Sequence, residues 1–481
     1  MQNGLNDSQW KAVIYNGGHL LITAGPGTGK THTITRRIAH LIPSLKSNER
    51  ILAITFTNKA ANQMKDRLVE LGVPLSKVFV GTFHAFCLKL LRDHWQETAL
   101  PKDFKVAIPD DIQGFDKAVL DRIGLVKSTQ LVIQGDDEYK KYQRYLRQNG
   151  WIDFDDILRE ALALLDNEDI AKYVTGAYRH IFVDEYQDSN VIQNALLKIL
   201  VADGASLTAI GDPNQSIYGF RGGNVALFHC FKEDFPGANV LTLQDNYRSA
   251  SNLLAASCQV MGGLEVLAKL DIKGHLVMHE ALSDRAEADY VAHQIEKMVG
   301  GMDMMSARRS HRTFGDIAIL YRLNAERHVI TQALDHLGIP YQVSRKPPKS
   351  EGYSDEGVLG QMEEELDYNV EKVSLLTLHA AKGLEFPVVF IVGCEDNILP
   401  LDLEGMKGDT AEERRLFYVG MTRAKEHLCL TRAQRRQMFG KTLQHQPSPF
   451  LSDIAEELKA YEAARRKPVK KDLDAAQMKL F

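Results

Sequence analysis

Short apolar runs alternate with stretches of helical period along most of the chain. His19 to Thr23 reads as a buried strand, and Lys30 to Ile42 as a helix whose apolar positions Ile34, Ile38 and Leu41 share one face. Ile51 to Phe56 and Ala60 to Leu71 repeat the pair. Strands alternating with helices in this way predict an α/β domain built on a parallel sheet. A second series begins after residue 236, with Val240 to Leu243, Asp316 to Leu320, Ala325 to Leu337, Val373 to Leu378 and Val388 to Val392. The pattern therefore predicts two α/β domains in tandem, the first from residues 1–93 and 150–235, the second from 236–344 and 373–455. Residues 94–149 are richer in charge and tyrosine, carry the helical stretch Asp137 to Gln148, and read as a short helical insertion in the first domain. Residues 345–372 hold Pro347, Pro348, Gly352, Gly357, Gly360 and the acidic run Glu363 to Asp367, and read as a linker or vestigial insertion in the second. Glu456 to Lys471 is charged and expected to be helical, opening a tail, 456–481.

Composition narrows the class. At roughly 150 residues per domain, 481 residues allow about three domains. With 44% hydrophobic and 25% charged residues, the chain is an ordinary globular one and neither disordered nor fibrous. Apolar runs such as Val388 to Val392 fall far short of the roughly 18 residues a membrane span needs, so no membrane partner is expected. Met1 to Trp10 is polar and lacks the charged-then-apolar order of a secretory signal, which points to the cytoplasm. The five cysteines are scattered without a C-x-x-C pair, so neither a disulfide frame nor a metal cluster is expected. With 58 basic against 63 acidic residues the net charge is −5, so any nucleic-acid site must be local.

Two motifs carry recognisable chemistry. Ala24-Gly25-Pro26-Gly27-Thr28-Gly29-Lys30-Thr31 follows an apolar strand and opens a helix, the setting of a phosphate-binding P-loop. Its glycines let backbone N–H groups approach a triphosphate. Lys30 would neutralise the β- and γ-phosphates and the Thr31 hydroxyl would ligate Mg²⁺, so ATP and Mg²⁺ are the expected cofactors. Ile181-Phe182-Val183 runs into Asp184-Glu185, which places two carboxylates at the carboxyl end of a strand, where open α/β sheets bind ligands. Asp184 would hold the metal, and Glu185 would polarise the attacking water.

Taken in order, the motifs of residues 5–427 resemble those of superfamily 1 DNA helicases of the UvrD/Rep/PcrA type. Leu5-Asn6-Asp7-Ser8-Gln9 resembles the family's Q motif, which implies that Gln9 reads adenine. Thr55-Phe56-Thr57-Asn58-Lys59-Ala60-Ala61 and Gly81-Thr82-Phe83-His84 resemble segments that contact single-stranded DNA, through Phe56, Thr57, Asn58, Lys59, Thr82, Phe83 and His84. The resemblance of Gly211 to Gly222 makes Gln215 a γ-phosphate sensor and Tyr218, Phe220 and Arg221 DNA contacts. Asn246-Tyr247-Arg248-Ser249 resembles the motif that stacks adenine on the tyrosine and aims an arginine at the γ-phosphate. In Thr377 to Phe386, Glu385 matches a ribose contact and His379 a DNA contact, and in Glu412 to Ala424, Arg423 matches the second arginine finger. The resemblance implies two RecA-like P-loop NTPase domains working as an ATP-driven single-stranded DNA translocase and helicase, 3′-to-5′, engaging single-stranded DNA and single/double-strand junctions.

The chain also departs from the family. Phe220 stands where tryptophan is usual, and His32 where relatives often carry arginine. Typical relatives are much longer and hold a large helical insertion where this chain has only 345–372. A translocase that strips proteins from DNA but unwinds poorly alone, or a nucleotide-gated binding module with little turnover, are the rival expectations. Finally, the tail ends Gln477-Met478-Lys479-Leu480-Phe481, which resembles the Gln-x-x-Leu-Phe peptide by which bacterial replication and repair proteins dock on the sliding clamp. Gln477, Leu480 and Phe481 would make that contact on the nucleoid.

Overall fold

The computed structural model describes residues 4–263, 266–300, 312–344, 370–403 and 405–462. Most of 345–372 and the tail peptide Gln477 to Phe481 lie outside the described residues.

Among those residues, six strands form a first sheet: β1 (Leu20–Ala24), β2 (Arg50–Thr55), β3 (Val78–Thr82), β4 (Tyr178–Val183), β5 (Ser206–Gly211) and β6 (Asn239–Leu243). Their spatial order is β3-β2-β4-β5-β1-β6, and every pairing is parallel. The strands read as near-continuous apolar runs because helices cover both faces, leaving one core around Leu21, Leu52 and Ile181 and another around Ile22, Ile51 and Phe182.

The second sheet holds seven described strands, β7 (His275–Ala281), β8 (Ile317–Tyr321), β9 (Tyr341–Val343), β10 (Val373–Thr377), β11 (Phe386–Ile391), β12 (Ala424–Ala433) and β13 (Ala460–Glu462). They lie in the order β9-β10-β8-β11-β12-β7-β13, again all parallel.

Two expectations are corrected. The segment Val240 to Leu243, expected in the second domain, is β6 of the first sheet, paired with β1 from Leu20↔Asn239 to Ala24↔Leu243. It covers an edge that would otherwise leave β1 unpaired on one side, so the first sheet reaches past residue 235. The expected helix from Glu456 begins instead as a 3₁₀ turn, Glu456–Leu458, and continues as the edge strand β13. Its Glu462 carboxylate accepts hydrogen bonds from Tyr290 (2.8 Å) and Gln294 (2.9 Å), and those contacts favour an extended chain over a charged helix.

The insertion is built on the helices Lys117–Thr129 and Asp137–Gln148, packed around Ile123, Tyr142 and Leu146. Its Lys127 is buried and pairs with Asp153 (2.6 Å) and Asp156 (2.8 Å). Its next residue, Ser128, abuts the loop after β5, for a Cβ added to Gly222 would fall 2.2 Å from the Ser128 hydroxyl. Among the described residues no helix is long and apolar enough to cross a membrane.

Candidate active site

The P-loop leaves the end of β1 and enters the helix Lys30–Leu41. Gly27 and Gly29 have φ of 68° and 83°, the left-handed region that glycine occupies without steric cost. Space is equally tight. A Cβ on Gly27 would lie 2.6 Å from both the Arg248 Cβ and the Asn246 amide nitrogen, so the loop passes directly against the Asn246 to Arg248 segment. Asn246 Nδ2 donates to the Pro26 carbonyl at 2.7 Å, and Tyr247 N donates to the Gly27 carbonyl at 2.9 Å. A cavity of about 600 Å³ opens here, lined by Gly25 to Thr31, Glu185, Gln215, Tyr247, Arg248, Glu385 and Arg423. The P-loop, the acidic strand end and both candidate finger arginines thus meet in one cleft. Gln9 and Ala24 do not line it. Gln9 lies behind the loop, where its side chain closes a capping box with Asn6 and donates to the Thr28 carbonyl at 2.9 Å.

Asp184 and Glu185 follow β4. Burial, reinforced by the neighbouring Glu185, pushes the Asp184 carboxyl up to about 7. Burial acts the same way on Glu185, but the Lys30 and Lys382 ammonium groups, each 3.8 Å away, outweigh it and hold this carboxylate at about 2. Glu185 also has φ of 55°, a left-handed backbone costing about 1 to 3 kcal/mol in a non-glycine residue, the kind of strain that gathers at working sites.

Across the cleft, Arg423 is fully buried. Its Nε donates to the Val419 carbonyl (2.8 Å), its Nη1 to Leu384 (3.1 Å), and its Nη2 to Gln215 Oε1 (3.2 Å) and Thr422 (3.0 Å). Gln215 in turn donates to Asp212 at 2.8 Å. Arg248 is ion-paired with Glu385 at 2.6 Å, and Lys425 pairs with the same carboxylate at 2.7 Å.

Lys382 is a residue that motif reading passed over. Its ammonium contacts the Asp188 carboxylate, donates to the Gln215 carbonyl at 2.7 Å and sits 5.2 Å from the centre of the Tyr218 ring. Burial opposes its charge, yet Asp188 and Glu185 raise its pKa. The available signal was its place between His379 and Glu385 in one motif. Neighbouring contacts also cross the cleft, with Arg415 Nε donating to the Ser216 carbonyl (2.7 Å) and Gly219 N to Glu412 (3.1 Å).

Beside Lys382 a row of rings runs over the cleft. Phe56 stacks on Tyr218 at 4.9 Å, Tyr218 lies 6.2 Å from Phe220, and Phe220 meets His379 edge-on at 5.4 Å. Phe220 is 57% exposed, and the Arg221 guanidinium lies 5.6 Å from its ring centre. Of the other expected DNA contacts, Thr57 and Thr82 cap the helices Asn58–Glu70 and Phe83–Asp93. Asn58 and Lys59 open the first of these helices, and burial pulls Lys59 down to about 8. His84 stacks on Phe154 at 3.7 Å and burial keeps its ring neutral, down to about 3. Phe83 is corrected outright: its ring is buried in the first-domain core with Phe86 and Leu52, on the helix face turned away from solvent.

A second overlooked feature is the antiparallel hairpin Arg435–Met438/Lys441–Gln444, which leaves the carboxyl end of β12. All strands of the sheet are parallel, so this is also the end of the sheet where His379 follows β10. Its two-residue turn, Phe439-Gly440, has both φ positive (51° and 74°), a geometry that favours asparagine or glycine at the first position. Phenylalanine is instead held there, 63% exposed.

Comparison with known proteins agrees with this geometry. The model of the UvrD/REP helicase N-terminal domain matches residues 5–134 and 126–236, and that of the UvrD-like helicase C-terminal domain matches 241–347 and 356–435. The ATP-dependent DNA helicase PcrA of Staphylococcus epidermidis is 27% identical over 644 aligned positions, covering 94% of this chain and 87% of the relative. Its counterpart from Staphylococcus aureus is 26% identical over 645 positions, with 95% and 87% covered. An alignment of 644 positions exceeds the 481 residues present, so these relatives carry stretches with no counterpart here. With the N-terminal helicase domain matched on one side of the cleft and the C-terminal one on the other, the chain belongs to the UvrD/REP helicase family.

Proposed function

We propose that this protein is an ATP-dependent DNA helicase that moves 3′-to-5′ along single-stranded DNA, driven by hydrolysis in the inter-domain cleft. The observation that carries the reading is Lys382, which touches the acidic motif beside Glu185 and faces the Tyr218 ring of the aromatic row. A change at the γ-phosphate and a change under a bound base therefore act on one side chain. Lys30, Arg248 and Arg423 supply cationic charge around the triphosphate, Gln215 senses the γ-phosphate, Glu185 takes the proton of the attacking water, and Tyr247 stacks the base. The aromatic row, with Arg221 and Lys59, would hold unpaired bases and phosphates by stacking and charge.

The residues present also fit Mg²⁺. A threonine hydroxyl at Thr31, in the first turn of the P-loop helix, and the buried Asp184 carboxyl at the end of β4 are the hard oxygen donors this ion takes. When bound, it would neutralise charge on the β- and γ-phosphate oxygens.

ATPase with and without single strands, and unwinding of duplexes with 3′ or 5′ tails, test the proposal. Strong stimulation and preference for the 3′ tail are expected. Negligible turnover would favour a binding module. Turnover without unwinding would favour the protein-stripping translocase, a second reading supported by the stretches missing relative to the longer relatives. Phe439, exposed on its strained turn, favours unwinding, since an apolar ring on a hairpin at the same end of the sheet as His379 can wedge against the last base pair.

The tail peptide Gln477 to Phe481 supports docking on a sliding clamp, which would bring the motor to replicating or repaired DNA on the nucleoid. Deleting these five residues is expected to abolish clamp binding in a pull-down and leave DNA-stimulated ATPase unchanged. Unaltered clamp binding would overturn it.

A further inference from the structure

The hairpin carrying Phe439 is rooted in a buried ion cluster that takes no part in the nucleotide cleft or the aromatic row. Arg436, in the first hairpin strand, is 3% exposed. Its Nε donates to Glu395 Oε2 at 3.1 Å, and its Nη2 donates to Glu395 Oε1 and to Glu287. Both carboxylates are fully buried, Glu395 just beyond β11 and Glu287 on the helix Asp284–Val299. Their remaining capacity is filled from the fold. Glu287 Oε1 accepts from Gly393 N (3.1 Å) and the Thr431 hydroxyl (2.7 Å), and Glu395 Oε1 accepts from Ala433 N (2.7 Å). The next hairpin residue, Gln437, donates its N–H to Asp284 at 2.9 Å.

A third buried carboxylate, Glu326, faces the same cluster. Its Oε2 accepts from the N–H groups of Arg322 (3.0 Å) and Leu323 (2.8 Å), while its Oε1 makes no hydrogen bond among the described residues. Gly393 is the residue that lets it fit, since a Cβ there would fall 2.0 Å from that oxygen. Arg322 pairs bidentately with Glu413 (2.7 and 3.0 Å) on the helix Thr410–Met421, which leads directly to Arg423. The root of the hairpin is thus connected to the element that carries the finger arginine.

Two four-residue strands joined by a tight turn are marginal by themselves, and among the described residues this pair has only each other as ladder partners. A wedge that swings when a base pair presses on it separates nothing. A planar guanidinium gripped by carboxylates from two different elements fixes direction as well as place. Apolar packing of the same volume would serve stability as well or better, so a buried ion cluster here calls for a role in orientation.

We propose that Arg436 is a positioning residue for strand separation, holding the hairpin so that Phe439 bears on the duplex end. The inference rests on the helicase reading above, and it is tested with the full chain in three variants: Phe439→Ala, Arg436→Lys, and the triple Arg436→Met/Glu287→Gln/Glu395→Gln, which removes the paired charges together and leaves Glu326, whose carboxyl burial already pushes up to about 7, to take a proton. Single-stranded-DNA-stimulated ATPase and unwinding of a 3′-tailed duplex are measured for each. The triple variant is expected to keep ATPase near wild type and to lose unwinding roughly 10- to 100-fold, the scale of a misplaced working group, with Arg436→Lys between it and wild type. Intact unwinding in the triple variant, while Phe439→Ala loses it, would overturn the positioning role and leave the wedge standing. ATPase and unwinding falling together would make the cluster merely structural and overturn the proposal too. Intact unwinding in Phe439→Ala would remove the wedge reading, and this inference with it.

Discussion

Replacing Glu185 by glutamine is expected to lower DNA-stimulated ATP hydrolysis by about 10²- to 10⁴-fold, the range for loss of a general base, while ATP binding survives. The carboxylate sits at the end of β4, with the Lys30 and Lys382 ammonium groups 3.8 Å from its two oxygens and the Gln187 amide donating to it. An amide of the same shape keeps the packing and removes the proton acceptor. It also removes the counter-charge of two lysines, which an incoming triphosphate can replace. Nucleotide affinity should therefore hold or tighten as turnover collapses, a split that nucleotide titration and a steady-state ATPase assay resolve. Failure of the variant to bind ATP, or turnover close to wild type, would show that the base lies elsewhere.

The strand and helix alternation of both domains was legible because fully buried parallel strands are written as unbroken apolar runs, and the nucleotide motifs because phosphate binding demands glycines and a lysine at fixed spacing. Other features depend on partners far away in sequence. The strand Asn239–Leu243 looks the same whichever sheet it joins, and only its pairing with Leu20–Ala24 assigns it to the first. Phe83 and Phe220 are both aromatics in motifs, yet one is in a core and the other in solvent, a difference of helix face against loop that residue type does not encode. The Gln9 amide accepts from Asn6 N and donates to the Thr28 carbonyl, contacts that tie the helix Asp7–Ile14 to the P-loop and that no motif encodes. Lys382 gains its significance from Asp188 and Gln215, both more than 160 positions away in sequence. Phe439 was missed for a different reason. Its Phe-Gly turn is flanked by short, mostly polar strands with none of the apolar alternation that marks a hairpin in a core.

Replacing Arg423 by alanine is expected to have an effect of similar or greater size, about 10³- to 10⁵-fold on the hydrolysis rate, the scale seen when an arginine finger is lost. Four hydrogen bonds hold this side chain, and two of them, to the Val419 and Leu384 carbonyls, serve only to aim it. The end that remains reaches Gln215, the candidate γ-phosphate sensor of the opposite domain, at 3.2 Å. Burial, with Arg248 close by, pulls the guanidinium down to about 9, so it stays charged at neutral pH and keeps its place opposite the phosphates. Lysine would restore the charge but not the fork that three carbonyl oxygens and a hydroxyl now anchor, so Arg423→Lys should recover little. Alanine also removes the donor to the Leu384 carbonyl and to Gln215 Oε1, while the Val419 carbonyl keeps the Thr422 hydroxyl at 2.9 Å; each acceptor left buried and unpaired costs about 1 to 3 kcal/mol, and a melting curve must accompany the kinetics. A folded Arg423→Ala protein that hydrolyses ATP within about tenfold of wild type would mean that Arg248 alone completes the site, because a finger that senses cleft closure has to act in the transition state and not in the ground state.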